Sequence, residues 1–129
     1  MILSEVNIMI NNDINNDINN NLFDDLYQEY KINGYIVGNE PNEQEKDVIC
    51  KCFYILLPLI LGNMSPRQRE VITLIYGYNK TQNQVAKQLN ISQSNISTHL
   101  RIAYQIVNNY FNIIFKATLL GLRYEKGKD

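Results

Sequence analysis

Apolar residues recur three and four positions apart along most of the chain, and no stretch alternates apolar and polar residues as a strand would. The pattern therefore predicts an all-α protein, with six helices. The first helix is residues 22–32, whose apolar face comprises Leu22, Phe23, Leu26 and Tyr30. Asn33 and Gly34 predict its end, and a short extended piece, residues 35–38, should follow.

A second helix is predicted from near Pro41 to Gly62, because acidic residues favour a helix N-terminus and three stand there: Glu40, Glu43 and Glu45. Its main part, DVICKCFYILLPLILG, is apolar on nearly all sides, so we expect it to be buried centrally. Pro58 is expected to kink or restart this helix. Asn63 follows Gly62 and supports the end of the helix there.

A third helix is predicted to begin at Met64-Ser65-Pro66. Serine is a good N-cap and proline fits the first helical position. The buried stripe of this helix should consist of Val71, Leu74 and Ile75, and Gly77 should end it.

Charge and composition divide the chain in two. Residues 11–21, NNDINNDINNN, form a low-complexity repeat, and we expect residues 1–21 to be a disordered arm. Residues 1–63 carry three basic and ten acidic groups, a balance of −7, whereas residues 64–129 carry nine and three, a balance of +6. The prediction is an acidic helical module, 22–63, before a basic domain, 64–129, with an anionic partner. The alternative is that the two halves simply attract each other.

The most specific pattern is TQNQVAKQLNISQSNISTHLR, residues 81–101, which predicts a helix-turn-helix. Thr81 opens the helix QNQVAKQL, in which Ala86 is the small residue needed where two helices cross. Asn90 tolerates the positive φ of a tight turn, and Ser92 caps the next helix. The crossing should be sealed by Val85, Leu89, Ile91, Ile96 and Leu100.

The outward face of the second of these helices is made of polar side chains: Gln93, Ser94, Asn95, Ser97, Thr98 and Arg101. Asparagine and glutamine can bond adenine edges, and arginine can read guanine, so this face is a candidate for base readout in duplex DNA. No acidic residue occurs between Glu70 and Glu125, which suits a surface that faces phosphates. The alternative is a helical hairpin used for protein contacts.

Residues 65–103, SPRQREVITLIYGYNKTQNQVAKQLNISQSNISTHLRIA, resemble region 4 of bacterial sigma factors, the part that reads the promoter −35 element. The resemblance implies that the polar face above enters the major groove and that RNA polymerase is a further partner. It also implies phosphate contacts by Arg67, Arg69, Thr81, Lys87 and Ser92. No region 2 is recognisable, and the recognition helix is less basic than is usual for sigma factors.

The last helix is predicted to run as far as Leu120, with a fraying polar tail after it. Its apolar positions are Ile106, Val107, Tyr110, Ile113, Ile114, Ala117 and Leu120. This is too much apolar surface for one helix to leave in water. Two explanations stay open: packing on residues 52–61 of the same chain, or the seam of a homodimer.

Other chemistries find little support in the sequence. Cys50 and Cys52 have no neighbouring ligand cluster, so we interpret them as a buried pair of small apolar side chains, and expect no metal or other cofactor. His99 is interpreted as a half-buried packing residue.

No phosphate-binding loop or nucleophile motif indicates an enzyme, and no apolar run is long enough for a membrane span. The absence of a disulfide framework and of a signal peptide suits the cytoplasm.

The sequence thus predicts a sequence-specific DNA-binding transcriptional regulator. The rival interpretation is a phage DNA-packaging protein of the small terminase kind, in which a similar helix-turn-helix precedes an oligomerisation helix. A third possibility is an adaptor that keeps the fold and binds only protein.

Overall fold

The computed structural model describes residues 21–32 and 40–127. These residues form five α-helices and no strand: α1 (Asn21–Ile32), α2 (Glu43–Gly62), α3 (Pro66–Ile72), α4 (Gln82–Leu89) and α5 (Gln93–Gly127). A π-helical turn, Thr73–Gly77, continues α3. The all-α prediction is confirmed, with five helices where six were expected. The predicted arm before Asn21, the predicted end of the first helix and the predicted extended piece lie outside the described residues.

A capping box sets the start of α2 two residues later than predicted. The Asn42 side chain accepts from the Glu45 backbone N–H at 2.8 Å, and the Glu45 carboxylate accepts from the Asn42 N–H at 3.0 Å. The helix then continues through Pro58, so the expected restart does not occur. Core packing offsets the hydrogen bond that proline cannot donate, because three residues near Pro58 are buried: Leu57, Ile60 and Leu61.

The expectation that α2 is buried on nearly all sides is wrong. Ile49, Phe53 and Leu57 face the core, but Ile55 and Leu59 are exposed. The physical reason is that α1 and α5 pack on one side of α2 only, within the described part of the chain. The two cysteines lie at the edge of that packed side, so they are half-buried, without a disulfide bond, and not the fully buried pair that was predicted.

An aromatic cluster joins α1, α2 and α5 in the main core. The rings of Phe23 and Phe111 meet edge to face at 5.5 Å between centroids, and those of Tyr30 and Phe115 stack at 4.3 Å. Phe53 completes the cluster from α2. This core runs from the predicted acidic module, 22–63, into the predicted basic domain, 64–129; the division into these two domains stays a prediction.

The last helix is longer than predicted, since α5 extends past Leu120 to Gly127 and includes residues 123–127 of the tail that was expected to fray. Arg123 holds this end in place: its Nε lies 3.4 Å from the Glu45 carboxylate and its Nη2 donates to the Glu40 carbonyl at 3.3 Å. Of the apolar positions predicted on this helix, Val107 and Ile114 are buried and Ile106 is half-buried. The remaining four are exposed: Tyr110, Ile113, Ala117 and Leu120.

Candidate nucleic-acid interface

A small second core holds α3, α4 and the start of α5 together. Its buried members are Val71, Leu74, Val85, Ala86 and Ile96, and its half-buried border is Ile75, Leu89, Ile91 and Leu100. All five residues predicted to seal the helix crossing are therefore in this core or at its border. Because Ala86 is buried at the crossing, α4 and α5 can approach closely.

Side-chain caps fix the start of each helix of the motif. Ser65 and Gln68 form a capping box at α3, and Thr81 and Gln84 form one at α4. In the latter, the Gln84 N–H donates to Thr81 Oγ1 at 3.1 Å and the Thr81 N–H to Gln84 Oε1 at 2.9 Å. At α5 the Asn95 N–H donates to Ser92 Oγ at 3.1 Å. Each cap agrees with the sequence prediction and satisfies helix N–H groups that would otherwise lack a partner.

Two asparagines in the left-handed region shape the connections. Asn90 has φ 56° and ψ 44°, as the short α4–α5 turn requires, and the Ile91 N–H closes this turn on the Ala86 carbonyl at 3.1 Å. Asn79, with φ 57°, was not predicted. It lies between the π turn and α4, where the Lys80 N–H donates to the Leu74 carbonyl at 3.1 Å. The dipeptide Asn79-Lys80 resembles ordinary loop sequence, which is why this second turn escaped notice.

The six candidate base-reading residues lie in the first three turns of α5, and all six are exposed: Gln93, Ser94, Asn95, Ser97, Thr98 and Arg101. One of them is partly engaged, since Thr98 Oγ1 donates to the Ser94 carbonyl at 3.1 Å. The Thr98 side chain can therefore present the hydroxyl oxygen as an acceptor and its methyl group to a ligand, but not the hydroxyl proton. The amide groups of Gln93 and Asn95 can form bidentate pairs with adenine, and the guanidinium group of Arg101 can form one with guanine.

The five candidate phosphate-binding residues differ in whether their side chains already contact other groups of the protein. Lys87 is exposed on α4. Thr81 and Ser92 accept N–H groups at their caps, which leaves their hydroxyl protons available to an anion. Arg67 instead pairs with Glu70 at 2.9 Å, and Arg69 donates to the Leu61 carbonyl at 3.5 Å, so both arginines already contact the protein.

Acidic residues of α1 lie beside the candidate DNA-reading helix, which sequence reasoning missed. Asp25 and Glu29 line an open cleft together with Ser97, Arg101 and Tyr104. The acidic half of the chain therefore packs against the basic half at this cleft, and the alternative interpretation, that the two halves attract each other, stays open. The −7 and +6 balances of the two halves were the only sign of this contact in the sequence.

Two tyrosines bridge the halves at this cleft. The Tyr76 hydroxyl donates to the Asp25 carboxylate at 2.9 Å. Burial, and then the Asp25 charge, raise the pKa of Tyr76 well above its ordinary value. The pKa of Tyr104 is raised as well, first by burial and then by the charge of the Glu29 carboxylate. Both hydroxyls are thus held protonated next to carboxylates.

This arrangement predicts a loss of stability in alkali. A tyrosine whose pKa is raised by folding stabilises the native state fully below the unfolded pKa of about 10, and the contribution disappears as the pH rises above that value. We expect the melting temperature to fall above pH 10, and to fall less steeply in Tyr76→Phe. Thermal melts of the wild type, Tyr76→Phe and the exposed control Tyr78→Phe test this prediction. They should cover roughly pH 8 to 11, from about two units below the ordinary tyrosine pKa to about one unit above it. Equal slopes in all three proteins would contradict it.

Other candidate features of the chain can be placed as well. His99 is half-buried, as predicted. Among the described residues, no group of three His, Cys, Asp or Glu side chains is arranged to hold a metal ion. No helix in the described ranges is long and apolar enough to cross a membrane.

The geometry defines a helix-turn-helix module of the class that presents one helix to DNA. Residues 60–105 match the family model of sigma-70 region 4, and this part of the chain is a sigma-70 region 4 domain. The match takes in the end of α2, all of α3 and α4, and the exposed polar face of α5. No curated protein and no solved structure matches the chain. The family resemblance read from the sequence is thereby confirmed for the domain, which is a non-catalytic DNA-binding module.

Proposed function

We propose that this protein is a sequence-specific transcriptional regulator that inserts residues 93–101 of α5 into the major groove. The observation that carries the proposal is that the first turns of α5 hold a continuous exposed face of short polar side chains in a sigma-70 region 4 domain. An amide or guanidinium group on such a face can pair with a base edge. A helix face exposed only for solubility would be expected to carry more Glu and Lys.

The phosphate-binding part of the proposal rests on Lys87, Thr81 and Ser92. Thr81 and Ser92 are the N-caps of α4 and α5, where the backbone N–H groups of helix starts also favour anions, and Lys87 lies exposed in the last turn of α4. Arg67 and Arg69 would have to leave their present partners to join them. RNA polymerase is proposed as a further partner because of the sigma-like context of the domain.

A DNA-packaging protein of the small terminase kind is the second candidate. One observation favours it: apolar side chains of α2 and α5 remain exposed outside the DNA-binding motif, as an oligomerisation surface would require. Such proteins assemble as rings of many subunits, whereas the regulator needs only one or two. The mass of the protein in solution separates the two candidates.

Salt dependence of DNA binding tests the proposed phosphate contacts in the full chain. The logarithm of the association constant should fall linearly with the logarithm of salt concentration. Lys87→Ala should lower the slope by about one unit and weaken binding to all duplexes alike. Lys51→Ala is the matched control, since Lys51 is exposed on α2 and pairs with Asp47 at 2.9 Å. A flat salt response of the wild type, or the same slope for both variants, would contradict the proposal.

A further inference from the structure

Apolar residues along one side of α2 repeat at the spacing of a coiled coil. Val48, Cys52, Ile55 and Leu59 are separated by four, three and four positions, so they follow a heptad pattern. Val48, Ile55 and Leu59 are exposed, Ile55 by 72%, whereas Cys52 between them is half-buried and borders the main core. A stripe with a period of 3.5 residues is the pattern by which one helix packs along another.

A second stripe with the same period lies on α5. Tyr110, Ile113, Ala117 and Leu120 are separated by three, four and three positions, and all four are exposed. Ile113 is 65% exposed. The stripe starts nine residues after Arg101, so it does not overlap the residues proposed to read DNA.

The two stripes adjoin, because α2 and α5 run antiparallel. At one end, Asn63 Nδ2 donates to the Tyr110 hydroxyl at 3.2 Å; at the other, Arg123 pairs with Glu45 at 3.4 Å. Between these contacts Leu56 and Leu59 share an apolar groove with Tyr110 and Ile113. Together the stripes make one face of two helices, called here the apolar strip.

The size of the apolar strip is that of a subunit interface. With the adjoining Leu56, the strip has seven large apolar residues, which expose on the order of 800 Å², about what each partner contributes to a standard protein interface. At the border of the strip, Lys51 pairs with Asp47 at 2.9 Å.

We propose that the apolar strip pairs with the same strip of a second copy, so that α2 and α5 of both chains form a four-helix bundle. A two-helix face with heptad spacing is complementary to itself under a two-fold axis, and two such faces pack as a bundle does. The dimer carries two recognition helices and therefore binds two half-sites. This inference goes beyond the proposed function, because a monomer could also read DNA.

The test is the mass of the full chain in solution, measured by sedimentation equilibrium at micromolar concentrations. The wild type should have about twice the chain mass of 15.0 kDa. Ile113→Glu should give the monomer mass, with a dimer dissociation constant raised at least ~100-fold, because dimerisation would bury the new carboxylate. Ile32→Glu is the matched control: Ile32 is 81% exposed on α1, away from the strip, and this variant should stay dimeric.

Three results would contradict the proposed dimer. A monomeric wild type would show that something else covers the strip, and a ring of many subunits would favour the packaging protein. A dimer that Ile113→Glu leaves intact would place the interface elsewhere. Circular dichroism of both variants checks that the helices are retained, and Leu59→Glu gives a second disruption from α2. DNA binding by a monomeric Ile113→Glu would leave the proposed function standing.

Discussion

Replacing Ala86 with glutamate should unfold the helix-turn-helix. Ala86 is 8% exposed and lies in the small core with Val85 and Ile96. A carboxylate there has no partner among the neighbouring apolar side chains, and its bulk forces α4 away from α5. We expect the free energy of unfolding to fall by about 3–5 kcal/mol, as for other unpaired buried charges, and DNA binding to be lost with it.

Gln88→Glu is the matched control for this substitution. It makes the same change in net charge two residues further along α4, at an exposed position. Its melting temperature should therefore stay close to that of the wild type. Urea unfolding curves of both variants, monitored by circular dichroism, make the comparison. A stable, DNA-binding Ala86→Glu protein would show that Ala86 does not lie at the helix crossing.

The local parts of the motif could be predicted from the sequence because short-range chemistry determines them. Ser65, Thr81 and Ser92 cap helices with their own side chains, and Asn90 adopts the left-handed turn that few other residues accept. Each of these features depends on residues within three or four positions. The order of helices and the sealed crossing follow from the same short pattern.

Contacts between distant segments could not be predicted in this way. The periodicity of α2 shows that it is apolar, but not that α1 and α5 cover only one of its sides. Nor does the polar tail reveal that Arg123 meets Glu45, 78 positions earlier, and so extends α5. The position of Asp25 and Glu29 beside the proposed recognition helix likewise depends on how the aromatic core docks α1.

Removing the amide side chains of the recognition helix should change which sequences the protein prefers. Gln93 and Asn95 are exposed in the first turn of α5, and each can form two hydrogen bonds with an adenine edge. The double variant Gln93→Ala, Asn95→Ala should lose preference at one or two neighbouring base pairs, at a cost of about 1–3 kcal/mol for each bidentate pair lost. Because both positions are on the surface, the fold should be retained.

Selection of bound duplexes from a random pool, with the wild type, this double variant and Lys87→Ala in parallel, tests base readout most directly. The wild type should enrich one motif. Lys87→Ala should enrich the same motif with weaker binding throughout, because it loses only a phosphate contact. The double variant should enrich a motif degenerate at one or two positions. If the wild type enriches no motif, or if all three proteins enrich the same one, residues 93–101 do not read bases and the central claim is wrong.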